Sequence, residues 1–438
     1  MCYTFYKIRV RKNLRKNLKQ SPKAHIVQWV CKPQNIATLV LWLAAAVLTI
    51  FMAHERYAAT ANGLLGAAIP GTDFRRSFLH AAQAIAAGHS PYTVAGYVYP
   101  PFLALALVPF SHVNHVTELR LWRVWVAVMV ISLVLAVMIF ILSQTRKLKP
   151  WLWPVLFAFC AFTVLCSRYF PVSKDLLLGQ ADTITFPVLL LSVLAASRDL
   201  PVVRGVCIGV TGLLKTWPGA IGATLFQRDI QHRWRSLLAL GATLAVAPIL
   251  TFILWGGIGI HGFIRNIFGV TTSNQAYIND SAIGATKLLF TRSGIAKQLY
   301  ISRGMHYAVL AILIIWIVGL LIIALRSAGD SVLCTFHVTF CILLLLPVSH
   351  RQYAIYVLPI LWIWVAHVLQ SKGTDRLTLA VAVVMLLWWI NQLHAWPDVG
   401  SSIGISAVHY CVPFMADLVA LTLSVIAAGR AKVERETS

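Results

Sequence analysis

One carboxylate, Asp73, lies close to two cations, Arg75 and Arg76, in a polar stretch between apolar runs. A carboxylate can act as a general base toward a hydroxyl group. Arginine can bind a phosphate and stabilise it as it leaves. A second basic pair, His350 and Arg351, follows a Pro-Val-Ser turn much later in the chain. These residue types fit the transfer of a group from a phosphate-linked donor to an acceptor hydroxyl.

Asp73 also has a purely structural interpretation. Thr72 or Asp73 could cap a short helix that ends near residue 87, where Gly88 follows. This helix would have an apolar face, formed by Phe74, Phe78, Ala81 and Ile85, and would lie in the membrane interface. The sequence leaves the cap and the general base open for Asp73. The turn that carries His350 and Arg351 could likewise be only a connection between helices.

The elements that position these residues follow from the composition. Hydrophobic residues make up 59% of the 438 residues, charged residues 12%, and the mean hydropathy is +0.76. Soluble domains have roughly 45–50% apolar and about 25% charged residues, which excludes a soluble enzyme, a disordered tail and a disulfide scaffold. At about 20 residues per span, the sequence predicts an all-α, polytopic integral membrane protein with about ten full spans.

The basic residues follow the predicted membrane topology. Lys and Arg total 37 against 14 acids, a formal charge of +23. Such an excess can indicate nucleic-acid binding, but most of these residues fall in predicted cytoplasmic segments. We expect residues 1–35 to form a basic cytoplasmic arm, 36–428 a single transmembrane domain, and 429–438 a cytoplasmic tail. The protein is therefore expected in the cell membrane (inner or plasma), with both termini in the cytoplasm and no nucleic-acid partner.

Two apolar stretches do not fit a topology in which each apolar stretch crosses the membrane once and basic loops lie on the cytoplasmic side. Residues 97–111 are predicted to be interfacial or re-entrant, since a crossing there would place the next basic loop on the wrong side. Residues 205–226 have basic residues on both sides and contain a lysine and a proline. A lysine and a proline would destabilise a straight helix exposed to lipid, so we predict a broken helical hairpin.

Two ionisable side chains, Lys215 and Asp417, fall within apolar stretches. A charged residue inside a membrane is a functional candidate by default. Lys215 either approaches a phosphate from within the helix bundle or satisfies backbone carbonyls at the break in the hairpin. Asp417 is either a functional acid or a residue at the boundary of the last span.

Motifs of several other chemistries do not occur in the sequence. It contains no Walker A or GxGxxG phosphate loop, no HExxH zinc motif and no GxSxG nucleophile elbow. The acids predicted to face the non-cytoplasmic side form no DxD pair, and the histidines lack ligand spacing. We therefore expect no metal and no cofactor, and a reaction that proceeds in the presence of a chelator.

A longer pattern, beginning at Asp73, resembles a known family. In order, it comprises Asp73-Phe74, Ala81-Ala82, Gly88, Pro91-Tyr92, Tyr97, Tyr99-Pro100-Pro101 and Pro109. Supporting pieces are Gly179-Gln180, Gly205…Gly209…Lys215…Pro218, Asn274-Gln275 and Pro347-Val348-Ser349-His350. Over about residues 36–400 the chain resembles glycosyltransferase family 87, whose members are integral membrane enzymes with the GT-C fold.

The resemblance implies an inverting glycosyltransferase that uses a polyprenyl-phosphate sugar as donor. It would move a mannose-like hexose or an arabinofuranose to a lipid or polysaccharide acceptor on the periplasmic or extracellular face. It maps the catalytic base of the family onto Asp73, and the histidine of the family's Pro-x-Ser turn onto His350. The donor phosphate would be held by His350, Arg351, Arg75 and Arg76, and the sugar or acceptor would be contacted by Tyr99, Gln180, Asn274 and Gln275. Gly179-Gln180 could instead be only a helix cap.

The sequence also leaves two other functions open. A transporter or lipid flippase would carry several charged residues at the bilayer midplane, where Lys215 and Asp417 are the clear cases. A structural subunit of a cell-envelope complex would not need an acid among clustered cations. The gathering of polar residues toward one predicted face favours the enzyme.

Overall fold

The computed structural model describes residues 33–62, 70–94, 96–112, 115–145, 148–227, 232–269, 279–291, 298–326, 331–370, 375–393 and 407–437. Every regular element within these ranges is helical, so the all-α fold class is confirmed for this part of the chain. Most of the basic arm lies outside the described residues, and the boundaries of the arm, the transmembrane domain and the tail stay predictions.

The described elements follow one another along the chain in this order. The α-helices are α1 (Pro33–Ala61), α2 (His80–Ala86), α3 (Phe102–Leu107), α4 (His115–Gln144), α5 (Trp153–Leu165), α6 (Phe170–Leu178), α7 (Asp182–Ser197), α8 (Pro201–Leu214), α9 (Arg233–Gly269), α10 (Ala282–Phe290), α11 (Arg303–Arg326), α12 (Ser331–Leu345), α13 (Leu358–Gln370), α14 (Arg376–Asn391), α15 (Ala407–Tyr410) and α16 (Val412–Thr437). A π-helix spans Phe74–Leu79, and the longer 3-10 helices span Trp217–Phe226 and Arg351–Tyr356.

Six helical segments among the described residues are long and apolar enough to cross a membrane. They are Asn35–Ala61, Thr117–Gln144, Arg233–Asn266, Arg303–Arg326, Arg351–Gln370 and Val412–Arg430. Helices α5 and α6, bent by 57° where they meet, would make a seventh span if the pair is one crossing.

The predicted count of about ten full spans is not confirmed. Helices α7, α12 and α14 coincide with predicted spans but contain only 16, 15 and 16 residues. At 1.5 Å per residue they are about 24 Å long or less, which is shorter than the roughly 30 Å hydrocarbon core. These helices agree with the apolar runs that predict them to within two residues at each end, so the sequence locates the helices but does not establish that each one crosses the membrane.

The longest helices differ in what surrounds them. Helices α1, α9 and α11 expose many large apolar side chains, as expected for helices that face lipid. Helix α13 is mostly buried, and its Trp362 is fully enclosed. The core therefore lies around α13, and the peripheral helices shield it.

The chain breaks where the hairpin is predicted. Helix α8 ends at Leu214, Lys215 adopts an extended conformation, and the chain returns as the 3-10 helix Trp217–Phe226. The Arg204 guanidinium at the start of α8 donates a hydrogen bond to the Thr224 hydroxyl at 3.3 Å, so the two arms lie side by side. The break places Lys215 at the turn of the hairpin.

The segment before α4 consists of short helices. The π-helix Phe74–Leu79 continues directly into α2, and Gly88 follows with a positive φ of 80°. Helix α3 has only six residues, which is too few to cross a membrane, and it ends in a 3-10 turn at Phe110. Residues 97–111 thus form no crossing, in agreement with the sequence-based expectation.

Candidate active site

Asp73 lies at the start of the π-helix, but it does not act as a helix cap. Its backbone is helical (φ −76°, ψ −37°), and its side chain makes no capping hydrogen bond. The next residue, Phe74, is buried against the Trp122 and Trp125 rings of α4, at centroid distances of 6.0 and 5.1 Å. The packing of Phe74 against these two rings holds the turn in place, while the Asp73 carboxylate is available to contact other residues.

The partner of Asp73 is Gln180, more than a hundred residues away in sequence. Gln180 Nε2 donates a hydrogen bond to Asp73 Oδ2 at 2.7 Å. Gly179, in the left-handed region at φ 73°, ends α6 and turns the chain so that Gln180 faces the first loop. Gly179-Gln180 is therefore a helix cap and a site element together: the glycine ends the helix and the glutamine reaches the acid.

Lys215 extends the hydrogen-bonded chain from the hairpin. Its Nζ donates to Gln180 Oε1 at 3.2 Å and to Asp182 Oδ2 at 2.6 Å. Tyr356 donates its hydroxyl proton to Asp182 Oδ1 at 3.0 Å. Lys215 is 4% exposed and Asp182 is fully buried. Lys215 thus pairs with side chains and not with the backbone carbonyls of the break, and its approach to a phosphate stays a prediction.

Aromatic rings enclose the Lys215 ammonium. The Tyr353 ring centroid is 4.2 Å from Nζ and the Tyr99 centroid is 5.9 Å away, distances at which a cation is attracted to the face of a ring. Tyr353 also packs edge-on against the His350 ring at 5.5 Å. The predicted site residues Asp73, Tyr99 and Gln180 therefore share one cluster with Lys215, and Tyr353 connects this cluster to His350.

Burial and the neighbouring groups of the cluster shift the pKa of Asp73 in opposite directions. Burial raises the pKa of the Asp73 carboxyl above its ordinary value. The hydrogen bond from Gln180 and the charges of Lys215 and Lys174 lower that pKa, whereas the charge of Asp182 raises it. Burial is the largest of these effects, so the carboxylate is more basic than one in water, as a general base requires.

A second polar cluster holds the turn that carries His350 and Arg351. Arg351 Nε donates to Asp280 Oδ2 at 3.2 Å. Asn279 Oδ1 accepts from the Ser349 amide at 2.7 Å, and the Asp280 amide donates to the Ser349 carbonyl at 2.7 Å. Burial raises the pKa of Asp280 to about 6, although Arg351 lowers it. The segment before α10 and the turn before α13 are thus tied together.

Asp417 belongs to the same region. Its Oδ1 accepts hydrogen bonds from Trp388 Nε1 at 2.6 Å and from Gln392 Nε2 at 3.4 Å. The residue is buried and lies five residues after the first residue of α16. A small cavity lies here, and its polar lining includes Asp280, His350, Arg351, Gln392 and Asp417.

The remaining predicted site residues lie apart from these clusters or outside the described residues. Arg75 forms an ion pair with Glu118 at the start of α4, and Arg76 is exposed on the neighbouring position. Asn274 and Gln275 lie outside the described residues. The proposed roles of these four residues stay predictions.

Two acids of the site were not singled out as site residues from the sequence. Asp182 could have been found, because it begins one short apolar helix and the next apolar helix contains an unpaired lysine, Lys215. A buried charge needs a partner, and the nearest acid in the adjoining helix is the natural one. Asp280 gives no comparable signal, since its partner Arg351 is distant in sequence.

A sequence model of glycosyltransferase family 87 matches residues 97–349, which is more than half of the chain. The chain belongs to glycosyltransferase family 87. The family assignment confirms the resemblance and indicates a membrane glycosyltransferase, which has a sugar donor and an acceptor as substrates. No curated protein matches the chain significantly.

The matched segment contains most of the site. It includes Gln180, Asp182, Lys215 and Asp280, and it ends at Ser349, one residue before His350. It begins at Tyr97, so Asp73 lies upstream of it. The link between Asp73 and the family segment is therefore structural and is made by the hydrogen bond from Gln180.

Proposed function

We propose that this protein is an inverting glycosyltransferase that moves a sugar from polyprenyl phosphate to an acceptor hydroxyl. The observation that carries the proposal is the half-buried Asp73 carboxylate, which is held by Gln180 and connects through Lys215 to the cluster around Tyr353. A basic carboxylate suits deprotonation of an acceptor hydroxyl. The basic turn with His350 and Arg351, on the other side of Tyr353, suits a departing phosphate.

In the proposed reaction Asp73 accepts the proton of the acceptor hydroxyl. The acceptor oxygen forms a bond to the anomeric carbon as the bond from that carbon to the phosphate oxygen breaks. The electron pair of the broken bond leaves with the polyprenyl phosphate, and the proton remains on Asp73 until it is lost to solvent. A single displacement of this kind inverts the configuration at the anomeric carbon.

The donor phosphate is assigned to the turn with His350 and Arg351. Arg351 pairs with Asp280 at the edge of a small cavity, and its guanidinium has further donors for a phosphate. Arg75 and Arg76 are proposed to contribute from the first loop, with Arg75 exchanging Glu118 for the phosphate. Tyr99 is proposed to contact the sugar or acceptor beside Asp73, as are Asn274 and Gln275.

The substrates and the placement in the membrane complete the proposal. The donor carries mannose-like hexose or arabinofuranose, the acceptor is a glycolipid or glycan, and the prenyl chain lies in membrane lipid. The site is proposed to face the periplasm or cell exterior, with both termini in the cytoplasm of a cell-membrane protein. The abundance of basic residues in the predicted cytoplasmic segments supports this orientation.

The test is an assay of Asp73→Asn with the purified protein in detergent micelles. Radiolabelled polyprenyl-phosphate mannose and arabinofuranose are supplied with extracted membrane glycolipids as acceptors. Loss of a general base lowers the rate by about 10²–10⁴-fold, without loss of expression or folding. Asp199→Asn is the matched control, because Asp199 is an exposed loop acid and its substitution leaves transfer unchanged. Transfer at the wild-type rate by Asp73→Asn would refute the assignment of the base.

A further inference from the structure

We infer that Gln180 and Lys215 are positioning residues, which together orient the Asp73 carboxylate and keep it ionised for catalysis. The inference rests on the proposed function, since it concerns the same acid. It assigns a role to the intramembrane lysine and to its acidic partner, Asp182. It also replaces the expected contact of Gln180 with sugar by a contact with the general base.

The orientation of the Gln180 amide follows from the chemistry of its neighbour. An ammonium group has three donors and no acceptor, so only the amide oxygen of Gln180 can face Lys215 Nζ. The amide nitrogen must then point the other way, where it donates to Asp73 Oδ2 at 2.7 Å. An ionised carboxylate is an acceptor only, and it matches this donor. Lys215 thereby fixes which end of Gln180 reaches the catalytic acid.

The position of Lys215 is itself fixed by buried partners. Asp182 Oδ2 accepts from Nζ at 2.6 Å, and Tyr356 holds the other carboxylate oxygen at 3.0 Å. The Tyr353 ring covers the ammonium. Ion pairs that are fully buried are often no more stabilising than apolar residues of similar size. A buried pair that also orients the amide next to a catalytic acid has a function that apolar residues could not replace.

The charged and titratable groups that face Asp73 come from four neighbouring segments. Lys174 on α6 and Lys215 at the hairpin favour the ionised carboxylate, Asp182 on α7 opposes it, and Tyr99 is a close neutral phenol. Burial raises the pKa of Asp73, and the Gln180 hydrogen bond is the largest effect that lowers it. Removal of this donor therefore shifts the equilibrium of Asp73 toward the protonated form, which cannot act as a base.

The experiment measures the acid limb of the pH profile of kcat/KM, which reports the protonation of essential groups in the free enzyme. The purified protein is assayed with the radiolabelled polyprenyl-phosphate sugar that gives the highest rate. Gln180→Met removes the hydrogen bond with little change in volume. Loss of a hydrogen bond to a charged group shifts its pKa by about one unit or more, so the acid limb moves to higher pH by that amount. At a pH on the wild-type limb the rate falls about tenfold, and it recovers as the pH rises.

A second variant keeps the inference testable if Gln180→Met does not fold. Lys215→Met combined with Asp182→Asn removes both charges together, so that neither is left unpaired. Its acid limb also moves upward, because the cation favours ionised Asp73 more than Asp182 opposes it. Thr224→Val is the matched control, since it removes a buried hydrogen bond in the same hairpin without touching this cluster. Its acid limb stays where the wild-type limb lies.

The outcomes separate this inference from the proposed function. If Asp73→Asn abolishes transfer but neither Gln180→Met nor the double variant moves the acid limb, the positioning role is wrong and the base assignment stands. A lowered plateau with an unmoved limb has the same meaning, because a purely structural role reduces the rate at every pH. If Asp73→Asn retains transfer, the base assignment fails, and the positioning inference fails with it.

Discussion

Gly179→Ala tests whether the turn between α6 and Gln180 controls both stability and catalysis. Gly179 has φ 73°, and a Cβ at this position would lie 2.8 Å from Phe74 Cβ and 2.8 Å from Trp122 Cζ3. The left-handed conformation costs a non-glycine residue about 1–2 kcal/mol. Overpacking adds about 1–3 kcal/mol, so the free energy of unfolding should fall by about 2–5 kcal/mol.

Gly88→Ala is the matched control for this prediction. Gly88 has a similar φ of 80°, but a Cβ there meets nothing within 4 Å. Gly88→Ala should lower the free energy of unfolding only by the cost of the left-handed backbone conformation, about 1–2 kcal/mol. Because Phe74 directly follows Asp73, the alanine at residue 179 should also displace the catalytic carboxylate and lower kcat, whereas Gly88→Ala should leave kcat unchanged.

The assay is reversible unfolding of both variants in detergent micelles, followed by tryptophan fluorescence, together with transfer activity under folding conditions. Equal destabilisation by the two substitutions would show that the close approach of Phe74 and Trp122 to Gly179 is not maintained in the protein. Full activity of Gly179→Ala at normal stability would refute the link between this turn and Asp73.

Two further predictions concern ion pairs. Asp280 has a pKa of about 6 in the folded protein, which exceeds its ordinary value of 3.8. The folded state therefore binds the proton more tightly than the unfolded state, which stabilises the fold by about 3 kcal/mol below pH 4. This stabilisation is lost as the pH rises through 6. Asp280→Asn should remove this component from the pH profile of unfolding, and an unchanged profile would contradict the buried site. If Arg75 leaves Glu118 to bind donor phosphate, Arg75→Gln should raise KM for the donor by about tenfold, whereas Glu118→Gln should not raise it. Equal effects on KM would instead indicate a purely structural pair.

The sequence predicted the parts of this fold that depend on local composition. Apolar runs located the long helices together with α7, α12 and α14, but not the short helices α6 and α10. The lysine and proline in residues 205–226 located the break at Lys215. The number of full spans could not be predicted, because the apolar runs of α7, α12 and α14 are shorter than the roughly 20 residues that a membrane crossing needs. The π-helix after Asp73 has no known local signature and was expected to be an ordinary helix.

The candidate site was predictable only where residue types are unusual. Asp73 was selected for its chemistry and Gln180 and Tyr99 through the family resemblance, and the three residues lie in one cluster. The Lys215–Asp182 pair joins the break after α8 to the first residue of α7. The Gln180 amide between Lys215 and Asp73 is oriented by contacts that no local pattern encodes. Long-range partners of this kind depend on packing, which is a property of the assembled bundle.

The Lys215–Asp182 pair also has a consequence for biogenesis. Insertion of an isolated lysine at the centre of a membrane helix costs about 2.5–3.5 kcal/mol at the translocon. Helix α7 is synthesised immediately before the hairpin, so Asp182 is already present when Lys215 emerges. Pairing with Asp182 therefore lowers the cost of inserting Lys215 when the two segments insert together. The order of synthesis thus delivers the acid of the first loop, the glutamine, the acidic partner and finally the lysine, whose arrival completes the cluster.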